Sequence, residues 1–341
     1  MAHNNVSTYQ LSSETELDDN QAAINDRWQH GIFDSFTSHD GLAIHYALFN
    51  IDAARPWIVI SPGRSESYLK YQEVTYDFIN NGYNVALIDH RGQGLSEREL
   101  EDKHKGYVAN FNDYVDDLHQ LVSDYVLPLC NSKPLLLGHS MGGNIAILYL
   151  QRYPDVFAAA ALTAPMIAVD VGSVPAWLAK AIVKLIHHLN RLLTTQSWYF
   201  PGYGPFKEKK FDGNDLMQSA QRFALFQALY KKHSEIQLGG VTFAWLSAAI
   251  NAEQQIFTNI CKLTTPIMML QSGDESIVCN DKQDTFYQAL QMCPNSKADA
   301  ASPRLIDGAL HELLFESDHL RNQALSHILD WFANKQSSVT T

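Results

Sequence analysis

Gly138-His139-Ser140-Met141-Gly142 sets a serine between two glycines, after the apolar run from Pro134 to Leu137 and before a helical stretch from Asn144 to Arg152. A serine on such a tight strand-to-helix turn has a crowded backbone, and glycines on either side remove the side chains that would clash. Its hydroxyl then projects clear of both elements. The N–H of Met141, at the start of the helix, can face negative charge developing beside it. The chemistry this permits is nucleophilic attack on a carbonyl. The five-residue pattern alone is weakly specific; its setting between an apolar strand and a helix gives it weight. His139 adjoins Ser140, but neighbours on such a turn point apart, and it reads as structural.

A serine nucleophile needs a base to take its proton and a carboxylate to orient that base. When the serine follows a strand in this way, the acid and then the histidine come later in the chain. His311 lies just after the apolar strand Arg304 to Ile306, in a loop of the sort that carries a base. His319 and His327 fall near or within the closing helix and read as surface residues. After the strand Pro266 to Gln271 comes Ser272-Gly273-Asp274-Glu275-Ser276-Ile277-Val278, which offers two carboxylates. Glu275 fits an acid followed by one variable and two aliphatic residues; Asp274 is one position early and stays as the alternative. A second donor to the oxyanion belongs after the strand Trp57 to Ile60, in Ser61-Pro62-Gly63-Arg64-Ser65-Glu66-Ser67. Proline has no N–H, so the backbone amide of Arg64 is the candidate.

These residues need a scaffold. Gly31 to Phe36 and Leu42 to Phe49 flank Asp40-Gly41 and predict an antiparallel hairpin. Apolar strands are expected at Trp57 to Ile60, Asn84 to Ile88, Pro134 to Leu137, Ala158 to Thr163, Pro266 to Gln271 and Arg304 to Ile306. Helices are expected at Tyr68 to Asn80, at Asn112 to Val126 with Asn112 as N-cap, and at Leu320 to Ala333. Strands alternating with helices imply an α/β class with a mostly parallel sheet and helices on both faces. The alternation fails between residues 166 and 250, a helical, aromatic-rich stretch that reads as a cap over the carboxyl ends of the strands. The core is then expected at 25–165 and 251–337. The loop Asp89-His90-Arg91-Gly92-Gln93-Gly94 lacks phosphate-cradle spacing and reads as a turn beside the site.

The 341 residues carry a net charge of −12, which argues against nucleic acid as a partner. The polar, acidic start, lacking an apolar segment, is expected to be a flexible tail over residues 1–24 and no signal or anchor. Cys130, Cys261, Cys279 and Cys293 form no CxxC pair. Four reduced thiols in a cytoplasmic protein are the simplest reading. The chemistry calls for no metal or organic cofactor.

Taken together, the segments Ser61 to Ser67, Asp89 to Gly94, Gly138 to Gly143, Asn214 to Arg222 and His311 to Glu316 resemble the monoacylglycerol lipase and lysophospholipase branch of the α/β-hydrolase fold. The resemblance spans nearly all the chain after the first thirty or so residues. The Pro62-Gly63 start of the oxyanion loop departs from the wider lipase branch and is similar to bacterial lysophospholipases. That group often uses glutamate as its acid, which favours Glu275. The resemblance implies hydrolysis of a single-chain lipid ester, with Ser140, Glu275 and His311 as catalytic residues. A monoacylglycerol lipase, another carboxylesterase, an acyltransferase or a silent lipid-binding protein are the rival expectations.

The stretch Val174 to Leu193 carries Lys180, Lys184, His187, His188 and Arg191 and no acidic residue. Leu178, Ile182, Leu185, Ile186, Leu189 and Leu192 recur at helical spacing. Such a helix either packs its apolar face on the core or lies on a membrane surface, which would place the protein at the inner face of the membrane. Trp198, Tyr199, Phe200, Tyr203 and Phe206 are candidates to line an acyl-chain pocket. Oligomeric state is not legible.

Overall fold

The computed structural model describes residues 9–169, 175–300 and 302–337. Its centre is an eight-stranded sheet in the order β1-β2-β4-β3-β5-β6-β7-β8. The strands are β1 (Ile32–Thr37), β2 (Ala43–Phe49), β3 (Trp57–Ser61), β4 (Asn84–Ile88), β5 (Leu135–His139), β6 (Ala159–Thr163), β7 (Ile267–Ser272) and β8 (Arg304–Ile306). β1 and β2 pair antiparallel, as does β2 with β4, and the pairings from β4 through β8 are parallel. The hairpin turns at Gly41, whose φ of 94° suits glycine. The α/β expectation, a mostly parallel sheet with helices on both faces, is met.

Because side chains alternate across a strand, the buried strands feed two separate cores. Ile58, Ile60, Leu135 and Leu137 pack with Phe78 and Leu325, from α2 (Gln72–Asn80) and α9 (Asp318–Ser337). Val59 and Leu136 pack on the other face with Val115, Ile145 and Trp245, from α3 (Phe111–Gln120), α4 (Met141–Arg152) and α7 (Phe243–Thr258).

Several sequence expectations are corrected. The flexible tail fails over residues 9–24; residues 1–8 lie outside the described residues. Helix α1 (Leu17–Gln29) buries Leu17 and Ile24, and the polar side chains before it find partners. Ser12 Oγ donates to Glu73 at 2.7 Å, Ser13 Oγ to Asp318 at 2.6 Å, and Ser219 Oγ to Glu14 at 2.5 Å. A polar segment is ordered when fixed carboxylates and hydroxyls meet it, which its own composition does not reveal. The N-cap of α3 is Asn110, not Asn112, because Asn110 and Asp113 close a reciprocal capping box. The cap boundary at residue 250 falls inside α7, which packs on α3 and α4 and is one continuous helix. Helix α8 (Asn280–Gln291) was not anticipated. Cys261 and Cys293 form a disulfide, Cα to Cα 5.1 Å, while Cys130 and Cys279 are free. Their separation of 32 residues has no signature in the sequence; the fold brings the ends of α7 and α8 together. Disulfides belong mainly to oxidising compartments, so thiol usage no longer argues for the cytoplasm.

The segments from 166 to 242 contribute α5 (Ala176–Leu193) and α6 (Ala220–Lys232). Residues 170–174, including Val174 at the start of the expected basic helix, lie outside the described residues. Arg222 on α6 is fully buried and ties this region to the core, donating to Glu73, Asp318 and the Glu316 carbonyl.

His90 follows β4 with its ring buried, Nε2 2.9 Å from Ser61 Oγ and its edge toward Tyr114. Burial, opposed only by Glu66, holds its pKa down at about 3, well below 6.5. The fold therefore accepts only the neutral ring. The contribution of His90 to stability is complete above about pH 6.5 and is lost as pH falls from there toward the folded value. Accordingly, His90→Gln should be most costly at neutral pH. Its deficit against wild type should shrink by up to about 1.4 kcal/mol per pH unit between pH 6.5 and 4 in urea-denaturation series. A deficit that stays constant with pH would contradict this account.

Candidate active site

Ser140 sits between β5 and α4 with φ 51° and ψ −117°. The left-handed conformation costs a non-glycine residue on the order of 1 kcal/mol. Its neighbours hold it there: its N–H donates to Thr163 O at 3.0 Å, and its carbonyl accepts from Gly143 at 2.9 Å and Met166 at 2.9 Å. The flanking glycines are required by space. A Cβ on Gly142 would press into the Ser61 carbonyl oxygen, and one on Gly138 would come within 2.9 Å of the Gly142 oxygen.

His311 and Glu275 come from two other loops at the same end of the sheet. His311 Nε2 is 2.9 Å from Ser140 Oγ, and His311 Nδ1 is 2.8 Å from Glu275 Oε2. Ser140 and His311 are buried and border one cavity, and Glu275 lies beside it next to the lining residue Ser276. The other oxygen of Glu275 accepts from the N–H of Ile277 at 2.7 Å and Val278 at 3.2 Å. Burial disfavours the Glu275 carboxylate, but His311 and these two amides outweigh it, and its pKa lies below the usual value. The group is thus an anion across neutral pH. Asp274 is exposed and turns away, its backbone N–H donating to Ala309 O at 2.9 Å. The carboxylate that reaches His311 is therefore Glu275.

Arg64 and Met141 both border the cavity into which Ser140 opens. Met141 opens α4, where the first N–H groups have no intrahelical acceptor. The N–H of Arg64 meets no acceptor among the described residues. The loop carrying Arg64 is held from below. Glu66 accepts from Gly63 N at 2.5 Å, Lys70 Nζ at 2.7 Å and Tyr71 Oη at 2.7 Å. Gln93 donates to the carbonyls of Gly63 at 2.7 Å and Glu66 at 3.0 Å. Asp89 accepts from Tyr68 N and Ser67 Oγ, so the second glycine-rich loop acts as a brace.

His139 borders the cavity with its ring 5.1 Å from that of His311, and its Nδ1 lies 3.1 Å from Thr163 Oγ1. Burial lowers its pKa to about 4, so it is neutral. His319 and His327 lie on α9.

Sequence reasoning missed the charged network beneath the site. Lys70 Nζ lies 2.7 Å from both Glu66 and Glu312, all three buried, and over the rings of Phe226 and Phe315. Burial disfavours each charge. Even so, the two carboxylates raise the Lys70 pKa, and Lys70 holds Glu66 below the ordinary range, while Glu312 stays raised by its burial. The Glu66-to-Lys70 spacing of four residues is the single local hint; Glu312 is distant in sequence.

Ser140 opens into a cavity of about 800 Å³. One wall is apolar, with Met166, Val169, Val241, Leu246 and Val278; another is polar, with Arg64, Lys209, Tyr230 and Glu312. Of the aromatics expected to line a pocket, Tyr203 and Phe206 border the cavity, whereas Phe200 packs against Phe243 and Tyr199 bonds Asp102.

The model of the Hydrolase_4 family, described as serine aminopeptidase, S33, matches residues 52–318. Lysophospholipase L2 of Escherichia coli K12 is 37% identical over 315 residues, 92% of this chain and 91% of that one. The probable lysophospholipase L2 of Haemophilus influenzae is 32% identical, covering 87% and 89%. Among solved structures, a soluble variant of monoglyceride lipase from Saccharomyces cerevisiae, in complex with a substrate analog, superposes with a TM-score of 0.65 at 16% identity, covering 89% and 94%. The chain therefore belongs to the Hydrolase_4 family of α/β-hydrolases and is an ester hydrolase related to lysophospholipase L2.

Proposed function

We propose that this protein is a serine esterase of the lysophospholipase type, releasing a fatty acid from a single-chain phospholipid. The observation that carries the reading is the chain of contacts from Glu275 through His311 to Ser140 at the floor of a half-apolar, half-charged cavity. In the first step Ser140 Oγ attacks the ester carbonyl while His311 Nε2 takes the hydroxyl proton. The N–H groups of Met141 and Arg64 hold the tetrahedral oxyanion. The C–O bond to the glycerol breaks, and His311 returns its proton to the leaving alcohol. Water, deprotonated by His311, then cleaves the acyl-enzyme to free fatty acid and Ser140. Glu275 keeps Nδ1 protonated and supports the imidazolium.

The reading extends to a lipid surface. Among the described residues no helix is long and apolar enough to cross a membrane. Helix α5, however, turns Val183 and Asn190 inward and leaves Leu185 59% and Leu192 69% exposed, in line with Leu178, Ile182 and Leu189. Lys184, His188 and Arg191 border that stripe, while Lys180 pairs with Glu253 at 2.6 Å. An apolar stripe with a basic margin complements an anionic bilayer, and α5 is the element that docks there.

Three outcomes test these readings. A fluorophosphonate should add once to wild type by intact mass and not to Ser140→Ala; an unlabelled wild type would sink the hydrolase mechanism. Glu275→Gln should lower kcat on lysophosphatidylethanolamine by roughly a thousandfold or more, since the amide can hold the wrong imidazole tautomer, while Asp274→Asn stays within about threefold. The double variant Leu185→Glu, Leu189→Glu should lose sedimentation with phosphatidylglycerol vesicles by at least about tenfold, with its circular dichroism retained, because each leucine buries about 1.5–3 kcal/mol of apolar surface. Equal binding by variant and wild type would remove α5 from the lipid contact.

A further inference from the structure

The charges around the cavity are unevenly committed. Both buried carboxylates at its polar end, Glu66 and Glu312, belong to Lys70. The guanidinium of Arg64 has no carboxylate within ion-pair distance among the described residues. It donates from Nη1 to Gly239 O at 3.0 Å and lies 5.9 Å from the centre of the Trp245 ring. Of the groups around it, Gly239, Trp245, Tyr203 and Tyr230 border the same cavity, while Gly106 and Tyr114 do not. A guanidinium carries five N–H donors; the described residues accept one bond from it, at Gly239 O, and Arg64 borders the cavity. Lys209 lines the same wall and also lacks a carboxylate partner among the described residues. Burial lowers its pKa, and Arg64 and Lys70 lower it further against the opposing pull of Glu312, so the cations are close enough to repel.

Drawing the Arg64 side chain partly out of water with no carboxylate partner is costly, and a site that does so is built for an anion that arrives with its ligand. The geometry of the substrate says where that anion sits. In a lysophospholipid a three-carbon glycerol unit separates the ester oxygen from the phosphate. In Arg64 a three-methylene stem separates the backbone, whose N–H borders the oxyanion position, from the guanidinium. One residue therefore spans both ends of the leaving group. A guanidinium also suits a phosphodiester, because its planar fork can donate two parallel hydrogen bonds. Gln227, on α6, adds an amide oxygen that is buried without a partner among the described residues and borders the cavity, an acceptor for a glycerol hydroxyl.

We propose that the Arg64 side chain, assisted by Lys209, is the phosphate subsite of the leaving group and sets the preference for a lysophospholipid over a neutral monoacylglycerol. This rests on the lysophospholipase reading above. It assigns Arg64 two separate duties, one for its amide and one for its side chain.

The test is the ratio of kcat/KM for lysophosphatidylethanolamine to that for monoacylglycerol, with the same short acyl chain and below micelle formation. Arg64→Gln keeps the amide and should lower the ratio by about tenfold to a hundredfold, chiefly through the KM of the phospholipid. Arg64→Lys should restore part of it. Lys209→Met, at an exposed residue, should lower it about threefold to tenfold and guards against a folding defect in the Arg64 variants. Ratios within about twofold of wild type for Arg64→Gln and Lys209→Met would overturn the subsite. A second readout separates it from the substrate reading: sn-glycerol 3-phosphate should inhibit hydrolysis of a p-nitrophenyl ester competitively, glycerol should not, and Arg64→Gln should weaken the inhibition. Inhibition through Arg64 in an enzyme that ignores lysophospholipids would sustain the subsite and sink the lysophospholipase reading. Lysophospholipid hydrolysis with no Arg64 dependence in either assay would do the reverse.

Discussion

Lys70 holds the two catalytic loops in register. Its ammonium lies 2.7 Å from Glu66, in the loop that carries the Arg64 amide, and 2.7 Å from Glu312, the residue after His311. The loop carrying the Arg64 amide and the loop carrying His311 are thus fastened to one buried cation, with Phe226 and Phe315 closing over it. A buried ion pair is a doubtful source of net stability, because desolvation offsets most of the attraction. Removing one partner is another matter: two carboxylates left buried without the ammonium would cost about 3–5 kcal/mol. That asymmetry makes the network a device for position. Any shift that separated the oxyanion loop from the histidine loop would have to strand a charge.

Further anchors continue from that point. Glu316 accepts from the Leu310 and Gln218 amides, and Glu312 N donates to Leu216 O, so the His311 loop is stitched to the segment before α6. Arg222 then binds α6 to Glu73 and Asp318. Ser12, Ser13 and Glu14 add the N-terminal segment to the same carboxylates and hydroxyls. The far side of the cavity is fastened much less. Helix α5 buries only one narrow face, and its outer stripe is paired with nothing in the described chain. Rigidity where protons move and looseness where lipid would enter follow from the same distribution of buried partners.

What could be read from the sequence follows the range of each interaction. Ser140 was legible because its requirements are local: two glycines, a strand before it and a helix after it. His311 was legible by chain order and by its position after the short strand Arg304–Ile306. The central strands were legible because each is a nearly unbroken apolar run between turn residues, and β1 and β2 because they flank the Asp40-Gly41 turn. Choosing between Asp274 and Glu275 needed the loop geometry, since the two are adjacent and chemically alike. The Glu66–Lys70–Glu312 network was not legible, because 242 residues separate Lys70 from Glu312 and charged residues default to the surface. The Cys261–Cys293 bond was hidden for the same reason. The N-terminal segment looked like a tail because its polar side chains signal solvent until their partners on α2 and α9 are known.

The same locality explains why Arg64 read as an amide alone. In the sequence it is the fourth residue of the loop Ser61 to Ser67, and only its backbone amide enters the reading. In three dimensions its side chain enters the cavity that Ser140 serves, beside Lys209, on a protein whose net charge is −12. An acidic protein repels anions at long range, but at an ionic strength of about 0.15 M that field fades within about 8 Å. Inside the cavity the nearest uncommitted charges decide, and these are positive. The overall charge therefore argues against polyanions such as nucleic acid without arguing against a single phosphate that is already tethered to an acyl chain.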